Sequence, residues 1–373
     1  MTKNYFPTMV ATQEAFCNRS VETERLIYNL ETGTPSLLIS PRRYGKTSLA
    51  LQAFSKLELP YAHVDLYKAL NEQEIAQYIL HGIGKIISQT EKTPTKLLKA
   101  AGNFFGALQL NISLYGKDLS LEITQRPKRA VDLILTALEK LDHYVTEHSG
   151  ISGCILFLDE FQTLAEVTPN KSIGSAIREA MQKSKSVRYV FAGSNRHLIE
   201  RMFHDDSRSF FNACDEIQLN RISAKHYSEH IKQASLDRWG DMLKEDAYDI
   251  IFACTERHPY YINKLCSMIL RLPKPATAEA IRQEWMDYVQ ENKARAEQEA
   301  MLLKLNQRRL LLHLASADYV ENPFSHEYAQ ETSMPITSIH RAMNFLLEKD
   351  YVFKDQQARY RVLDPLIKAA LTH

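Results

Sequence analysis

A glycine, a lysine and a threonine stand together in LLISPRRYGKTSLALQAF, residues 37–54, and these residue types suit phosphate chemistry. The ammonium of Lys46 can reach the β- and γ-phosphates of a nucleotide, the Thr47 hydroxyl can ligate Mg²⁺, and Gly45 lets the backbone approach closely. Ser40 replaces the first glycine of the usual pattern G-x-x-x-x-G-K-[ST], which is tolerable if its φ is negative. The stretch therefore predicts binding of ATP or ADP with Mg²⁺.

Two adjacent acids, Asp159 and Glu160, close the unbroken apolar run of residues 154–158. Such a run is typical of a buried strand in a parallel sheet, and an acid at its carboxyl end faces the crevice where these sheets bind ligands. We expect Asp159 to help hold Mg²⁺, directly or through water. Glu160 is the candidate general base that accepts a proton from the water attacking the γ-phosphate.

These residues need a strand–loop–helix unit and a parallel sheet to position them. Backbone N–H groups at the start of a helix can then surround the phosphate, and the helix dipole favours the anion. The sequence predicts an α/β core over residues 1–221, with a β-hairpin insertion near 109–124 on either side of Gly116-Lys117-Asp118. The predicted core strands are residues 37–40, 61–66, 154–158, 188–193 and 216–219, and the predicted helices are 71–88, 127–147 and 173–183.

Two further domains are expected after the core. Residues 222–304 show helical patterns and no convincing strand, which predicts an all-α lid domain. Residues 305–373 contain three helical stretches followed by two short strands joined by Gln356-Gln357, the pattern of a winged helix-turn-helix. Its predicted core residues are Leu310, Leu314, Ile339, Met343, Leu346 and Leu347.

Composition limits the surroundings in which the chain works. The 373 residues carry a formal net charge of +1, so the whole chain has no general attraction to nucleic acid or to an anionic membrane. The five cysteines form no C-x-x-C pair and are expected to be reduced. The N-terminal residues show no sustained apolar core of a signal peptide. We therefore expect a cytoplasmic location and no membrane partner.

The chain resembles the archaeal-type ATPases, also found in bacteria, within the STAND and AAA+-like branch of P-loop NTPases. SPRRYGKTSL, LFLDEFQ and YRVLDPLIKAAL carry the resemblance, and FCNRSVETERL and ERHPYYINKLC are similar to two further boxes of the family. The match runs in the right order over nearly the whole chain, and the family accepts Ser-Pro-Arg-Arg in the loop. The resemblance implies a nucleotide-binding loop formed by Pro41, Arg42, Arg43, Tyr44, Gly45, Lys46, Thr47 and Ser48.

The resemblance also assigns residues outside the loop. Arg19 and Glu22 match the entry box near the adenine, although Arg19 could equally cap a helix. Pro259, with His258, matches the place where the helical domain touches the base. Ser194 and Asn195 stand where the family has a polar sensor, so Asn195 is taken as a candidate catalytic residue with Glu160 and Lys46. A further candidate is Arg208 as an arginine finger, but pairing with Asp205 or Asp206 is the favoured interpretation.

Three functions from different classes remain open on the sequence. The first is a slow ATPase that acts as a nucleotide-driven switch, with a protein partner or self-association possible. The second is an ATP-regulated DNA-binding protein that reads DNA with the winged helix; it is not favoured, because the third helix carries few basic residues. The third and weakest is a small-molecule kinase, since adjacent acids suit the activation of water.

Overall fold

The computed structural model describes residues 3–108, 110–115, 118–122, 129–147, 150–168, 172–203, 210, 212–355 and 357–372. The chain forms two compact units. The core unit contains Arg19–Arg42 and Lys46–Leu219, and the C-terminal unit contains Met1–Asn18, Arg43–Gly45 and Asn220–His373. No helix in the described part of the chain is both long and apolar enough to cross a membrane.

The core unit is built on a parallel sheet with the strand order β2-β5-β6-β1-β7. The five predicted strands are all present and agree with the observed ones to within one residue at each end. The strands are β1 (Ser36–Ile39), β2 (Tyr61–Asp65), β3 (Asn111–Tyr115), β4 (Asp118–Glu122), β5 (Cys154–Asp159), β6 (Val187–Gly193) and β7 (Asp215–Gln218). Every residue of β1 and β5 is buried, which explains why these strands are apolar throughout.

Helices flank this sheet on the long connections that parallel strands require. They are α1 (Ser20–Thr32), α2 (Lys46–Phe54), α3 (Glu72–Thr90), α4 (Pro94–Gly106), α5 (Ala130–Glu147), α6 (Thr163–Val167), α7 (Ser172–Lys183) and α8 (Arg196–Phe203). Helix α4 was not predicted, although its start is marked by a Thr93 cap and a proline in the first turn. The predicted hairpin is present as the antiparallel pair β3-β4, whose backbone lies beside α3 and α4; Gly116 and Lys117 of its turn lie outside the described residues.

The order of the strands brings three functional segments to one edge of the sheet. Strands β5, β6 and β1 are neighbours, and Ile39 of β1 lies opposite Gly193 of β6 in the register. The acidic pair follows β5, Ser194 follows β6, and the loop that begins at Ser40 follows β1. Because the strands are parallel, all three segments leave the sheet at its carboxyl edge.

The C-terminal unit is helical and ends in a small β-hairpin. Its elements are α9 (Ala224–Trp239), α10 (Glu245–Thr255), α11 (Pro259–Ile269), α12 (Ala278–Met301), α13 (Leu305–Ser316), α14 (His326–Glu331), α15 (Ile336–Glu348), β8 (Val352–Lys354), β9 (Tyr360–Val362) and α16 (Pro365–Thr372). Helices α13 to α15 with β8-β9 form the predicted winged helix, although Gln356 of its turn lies outside the described residues. One continuous apolar core joins the helical and winged-helix parts. Of the predicted core residues, Leu347 alone is only partly buried.

The N-terminal segment, described from residue 3 to residue 18, belongs to the C-terminal unit. Tyr5 and Phe6 are buried in the core of that unit. The Tyr5 hydroxyl donates to Asp237 on α9 over 2.7 Å, and Asn263 on α11 donates to the carbonyl of Pro7 over 2.7 Å. The unit is therefore made from both ends of the chain.

Candidate functional site

The loop after β1 begins with a buried serine and ends with a buried lysine at the first residue of α2. Ser40 is completely buried and has no positive φ, so its side chain is accommodated without backbone strain. Lys46 is 5% exposed, and its Nζ donates to the carbonyl oxygens of Ser40 over 3.0 Å and Pro41 over 3.2 Å. Gly45 has a φ of 93°, which favours glycine. The ammonium charge is thus held inside the loop, where a phosphate group would neutralise it.

A threonine and an aspartate form the oxygen-rich side of the site. The Thr47 hydroxyl donates to Oδ2 of Asp159 over 2.7 Å, and Nε2 of His63 on β2 lies 3.1 Å from the same oxygen. Burial opposes ionisation of Asp159, but the hydrogen bonds from His63 and Thr47 and the nearby Lys46 charge hold its pKa below the ordinary value. Asp159 is therefore an anion at neutral pH.

These two oxygens suit a magnesium ion that is shared with a bound nucleotide better than a metal ion held by protein ligands alone. Magnesium prefers oxygen ligands and is usually bound through one or two carboxylates together with phosphates and water. Among the described residues there is no group of three or more His, Cys, Asp or Glu side chains that could hold a metal ion. Thr47 and Asp159 are the residues that would hold Mg²⁺, with the remaining ligands coming from a bound nucleotide and water.

Glu160 lies in a left-handed turn directly after β5, with a φ of 52°. The Ser194 hydroxyl donates to its Oε2 over 2.6 Å, and the side-chain amide of Gln162 donates to the same oxygen. Ser194 in turn accepts a hydrogen bond from Nε of Arg42 over 3.4 Å. The carboxylate is held by two donors at the carboxyl edge of the sheet, beside the acid Asp159.

Asn195, the second candidate sensor residue, directly precedes α8. Its Oδ1 accepts a hydrogen bond from the backbone of Leu198 over 3.1 Å, so the side chain caps the first turn of α8. Of the two candidate sensor residues, Ser194 is the one that contacts Glu160. The contacts of His63 and Gln162 were not predicted. Gln162 stands in the LFLDEFQ stretch, but nothing in that stretch shows which way its amide points.

The candidate Arg19 is the N-cap residue of α1 and is 6% exposed, with a left-handed φ of 70°. Its Nη1 lies 3.0 Å from Oε1 of Glu22, so the two residues of the predicted entry box form an ion pair. Ser48 is buried in the first turn of α2. Arg208 and its proposed partners Asp205 and Asp206 lie outside the described residues.

Within the C-terminal unit, the loop residue Tyr44 contacts two side chains. Its hydroxyl accepts a hydrogen bond from Nε of Arg221 over 3.1 Å, and its ring meets that of His258 edge to face, with 4.9 Å between centroids. The guanidinium of Arg43 lies 4.3 Å from the centroid of the Tyr260 ring. Pro259 is the first residue of α11. Arg43, Tyr44 and Pro259 therefore lie in one compact unit.

His258 is a buried, neutral side chain. Burial lowers its pKa to about 3, and the positive charges of Arg221 and Arg43 act in the same direction. Its Nδ1 has no hydrogen-bond partner among the described atoms. The imidazole therefore acts as an uncharged, aromatic wall beside Tyr44 at neutral pH.

Arg221 connects four segments of the C-terminal unit. Besides Tyr44, its guanidinium donates to the carbonyl of Glu256 over 2.7 Å, to Oε2 of Glu256 over 2.9 Å and to the carbonyl of Leu363 over 3.0 Å. Its other face lies over the ring of Phe353 on β8. Lys368 on α16 donates to the second carboxylate oxygen of Glu256 over 2.9 Å. Burial opposes ionisation of Glu256, but Arg221 and Lys368 hold its pKa below the ordinary value, so the carboxylate is charged at neutral pH.

Comparison with known proteins agrees with this architecture. The family model described as "Probable winged helix domain" matches residues 297–373. None of the curated proteins matches the sequence. Among solved structures, the Walker-type ATPase PABY2304 of Pyrococcus abyssi is similar over 98% of both chains, with a TM-score of 0.70 and 15% sequence identity.

A second similar protein is ORC2 of Aeropyrum pernix, solved in two nucleotide states. The structure of its ADPNP–ADP complexes has a TM-score of 0.60 at 13% identity and covers 99% of this chain and 96% of that one. Its ADP form has a TM-score of 0.53 at 13% identity and covers 100% and 97%. At these identities the likeness concerns the fold. The chain therefore shares its fold with these two archaeal proteins; it has a parallel five-stranded core and matches a winged helix domain at its C-terminus.

Proposed function

We propose that the protein binds ATP or ADP with Mg²⁺, hydrolyses ATP slowly and acts as a nucleotide-driven conformational switch. The observation that carries the nucleotide site is the bond between Thr47 and Asp159 beside the buried ammonium of Lys46. At this edge of the sheet, a cation that can bind phosphate therefore lies beside two oxygen ligands that can bind Mg²⁺. Nucleotide-bound structures of the Aeropyrum pernix protein support this proposal through the shared fold.

Hydrolysis would use the acid that follows Asp159. Glu160 accepts the proton of the attacking water, while Lys46 and backbone N–H groups of the loop stabilise charge on the phosphates. Bound Mg²⁺ would supply further neutralisation of that charge. The low rate is part of the proposal, because no arginine finger is identified among the described residues and a missing finger typically costs ~10³-fold in turnover.

The switch is supported by the contacts of Tyr44. This residue belongs to the phosphate-binding loop in sequence, yet it packs in the C-terminal unit and bonds to Arg221. Arg221 then reaches Glu256 at the end of α10 and Leu363 beside α16. A change in the loop on nucleotide binding therefore alters a contact that also holds the helical and winged-helix parts.

Both tryptophans of the chain, Trp239 and Trp285, lie in the C-terminal unit and can report on this switch. Adding ATP and Mg²⁺ should change their fluorescence in the unmodified protein. Tyr44→Phe removes the hydroxyl that Arg221 contacts but keeps the ring beside His258. We expect nucleotide affinity within about threefold of the parent, since the hydroxyl that is lost bonds to Arg221 and not to phosphate. At least half of the fluorescence change should disappear.

Tyr28→Phe is the matched control, because the Tyr28 side chain on α1 is 65% exposed. It should leave both affinity and fluorescence change as in the parent. A full fluorescence change in Tyr44→Phe would rule out Tyr44 as the connection. Nucleotide binding without any fluorescence change in the parent would argue against the switch and leave the binding site standing.

DNA binding by the winged helix is the alternative, and the contacts of the wing do not favour it. Arg359 is paired with Asp355 over 2.8 Å and lies over the Tyr319 ring, and Arg361 lies 3.9 Å from the same carboxylate. The exposed basic residues of α15 and the wing are then reduced mainly to Arg341 and Lys354. This is a small positive surface for a duplex.

We expect only weak binding of duplex DNA in a fluorescence anisotropy titration at physiological salt. If the winged helix did read DNA, affinity would fall steeply with salt because phosphate contacts release counterions. The variant with Arg341→Glu and Lys354→Glu would then lose binding while keeping its affinity for ATP. Submicromolar, salt-sensitive binding that this variant abolishes would replace the switch by DNA recognition as the main function.

A further inference from the structure

Gln162 has a buried polar side chain to which the nucleotide site assigns no role. It is 4% exposed and follows Glu160 by two residues, in the turn between β5 and α6. The backbone of Phe161 donates to the carbonyl of Ala192 on β6 over 2.8 Å, which fixes this turn against the neighbouring strand. The position of the Gln162 amide is therefore set by the sheet.

Within the described part of the chain, the nitrogen of the Gln162 side-chain amide is hydrogen-bonded, but the oxygen is not. Its nitrogen donates to Oε2 of Glu160 and lies 3.4 Å from the Ser194 hydroxyl, whereas its oxygen has no hydrogen-bond partner among the described atoms. A buried carbonyl without a partner is unfavourable, so an apolar side chain would suit the packing better. The donor function toward Glu160 accounts for an amide at this position.

Gly193 leaves the space that this amide needs. A Cβ at Gly193 would lie 2.9 Å from the Gln162 oxygen and 2.3 Å from the side chain of Ile199. Both distances are too short for a side chain, so the end of β6 must be glycine while Gln162 keeps this position. The contact between Gln162 and Glu160 is thus supported by the adjacent strand.

The number of hydrogens distinguishes Gln162 from Ser194. A serine hydroxyl has one hydrogen, and Ser194 already donates it to Glu160 over 2.6 Å. If Ser194 turned that hydrogen toward a phosphate oxygen, it would release Glu160. The Gln162 amide nitrogen has two hydrogens, one for Oε2 of Glu160 and one for the Ser194 oxygen, so Gln162 would still hold the carboxylate.

We propose that Gln162 is a positioning residue for the general base, holding Oε2 of Glu160 so that Oε1 remains to take the proton of the attacking water. This proposal rests on the proposed ATPase function. It requires Gln162 to act on turnover through Glu160 and to leave nucleotide binding nearly unchanged.

Gln162→Met keeps an unbranched side chain of similar length and removes the donor. We expect kcat for ATP hydrolysis to fall about 10-fold, the effect of roughly one hydrogen bond to a charged group. KM for ATP should stay within about twofold, since Gln162 donates to the base and not to the loop. In the Glu160→Gln background, Gln162→Met should lower the remaining turnover no further, because the group that it positions is already absent.

A spectroscopic measurement on the nucleotide-free protein tests the contact without turnover. The side-chain amide signal of Gln162, identified by its absence from Gln162→Met, should shift in Glu160→Ala in a ¹⁵N-edited NMR spectrum. Gln89→Leu is the control for a purely structural glutamine: its side chain bonds to the backbone of Tyr61 at the opposite end of β2. It should change neither kcat nor the Gln162 signal.

The outcomes separate this proposal from the one on which it depends. Unchanged kcat in Gln162→Met, or an equal further loss in the Glu160→Gln background, would overturn the positioning role and leave the ATPase standing. A parent protein that neither binds nor hydrolyses ATP would overturn both. Should Gln162→Met fold poorly by circular dichroism, Gln162→Leu provides the same comparison with a different apolar side chain.

Discussion

Replacing Lys46 with alanine should lower the affinity for ATP and ADP by at least ~10²-fold. The ammonium is buried in the loop and now bonds to the carbonyls of Ser40 and Pro41. With nucleotide bound, it would exchange these carbonyls for phosphate oxygens, and hydrogen bonds to charged groups contribute about 1.5–3 kcal/mol each. Two such bonds correspond to roughly 10²–10⁴-fold in affinity at about 1.4 kcal/mol per tenfold.

Isothermal titration of the parent and of Lys46→Ala with Mg·ATP measures this effect. Lys56→Ala removes the same charge from an exposed side chain ten residues further along and should bind like the parent. A circular dichroism melt of each variant shows whether the loop change disturbs the core. Equal affinities of Lys46→Ala and the parent would place any nucleotide site elsewhere.

Glu160→Gln should reduce ATP turnover by ~10²-fold or more while nucleotide binding persists, which is the usual effect of losing a general base. The substitution keeps the shape of the side chain, and the amide oxygen can still accept the hydrogen bond from Ser194. The positive φ at this position is equally unfavourable for glutamate and glutamine, because both carry a Cβ, so the substitution should not disturb the left-handed turn. The lost property is the ability to take a proton from water.

Single-turnover hydrolysis and nucleotide titration together test this expectation. Glu166→Gln is a matched control, since Glu166 is an exposed acid on α6 only six residues away. Its turnover should equal that of the parent. If Glu160→Gln hydrolyses ATP at the parent rate, the base is another group, and the positioning role of Gln162 falls with it.

Much of the fold follows from local patterns in the sequence. The parallel strands are recognisable because both of their faces are buried, which demands apolar runs such as that of β5. The loop motif and the acidic pair follow β1 and β5 directly, so their meeting at one sheet edge could be expected. The predicted fold and the predicted winged helix are confirmed. The roles of the site residues stay predictions until the variants are measured.

The remaining contacts depend on directions that the sequence does not encode locally. Whether Ser194 or Asn195 faces Glu160 depends on the turn after β6, and the structure uses Asn195 as a helix cap. The amide of Gln162 contacts Glu160 in a turn where Glu160 adopts a positive φ. No neighbouring glycine or asparagine in the sequence indicates this conformation. Arg221 meets Tyr44 across 177 residues of chain, a pairing that only the folded structure reveals.

The discontinuous C-terminal unit has a consequence for how the chain is synthesised and dissected. Tyr5 and Asp237 are bonded although 232 residues separate them, so closing this contact costs more chain entropy than a local one. A ribosome releases the N-terminal segment long before α9 and α11 exist, and Tyr5 and Phe6 must stay without their core until then. Fragments that begin near residue 220 would lack both aromatic side chains and expose apolar surface to aggregation. An autonomous version of this unit should carry residues 3–18 linked in front of Asn220.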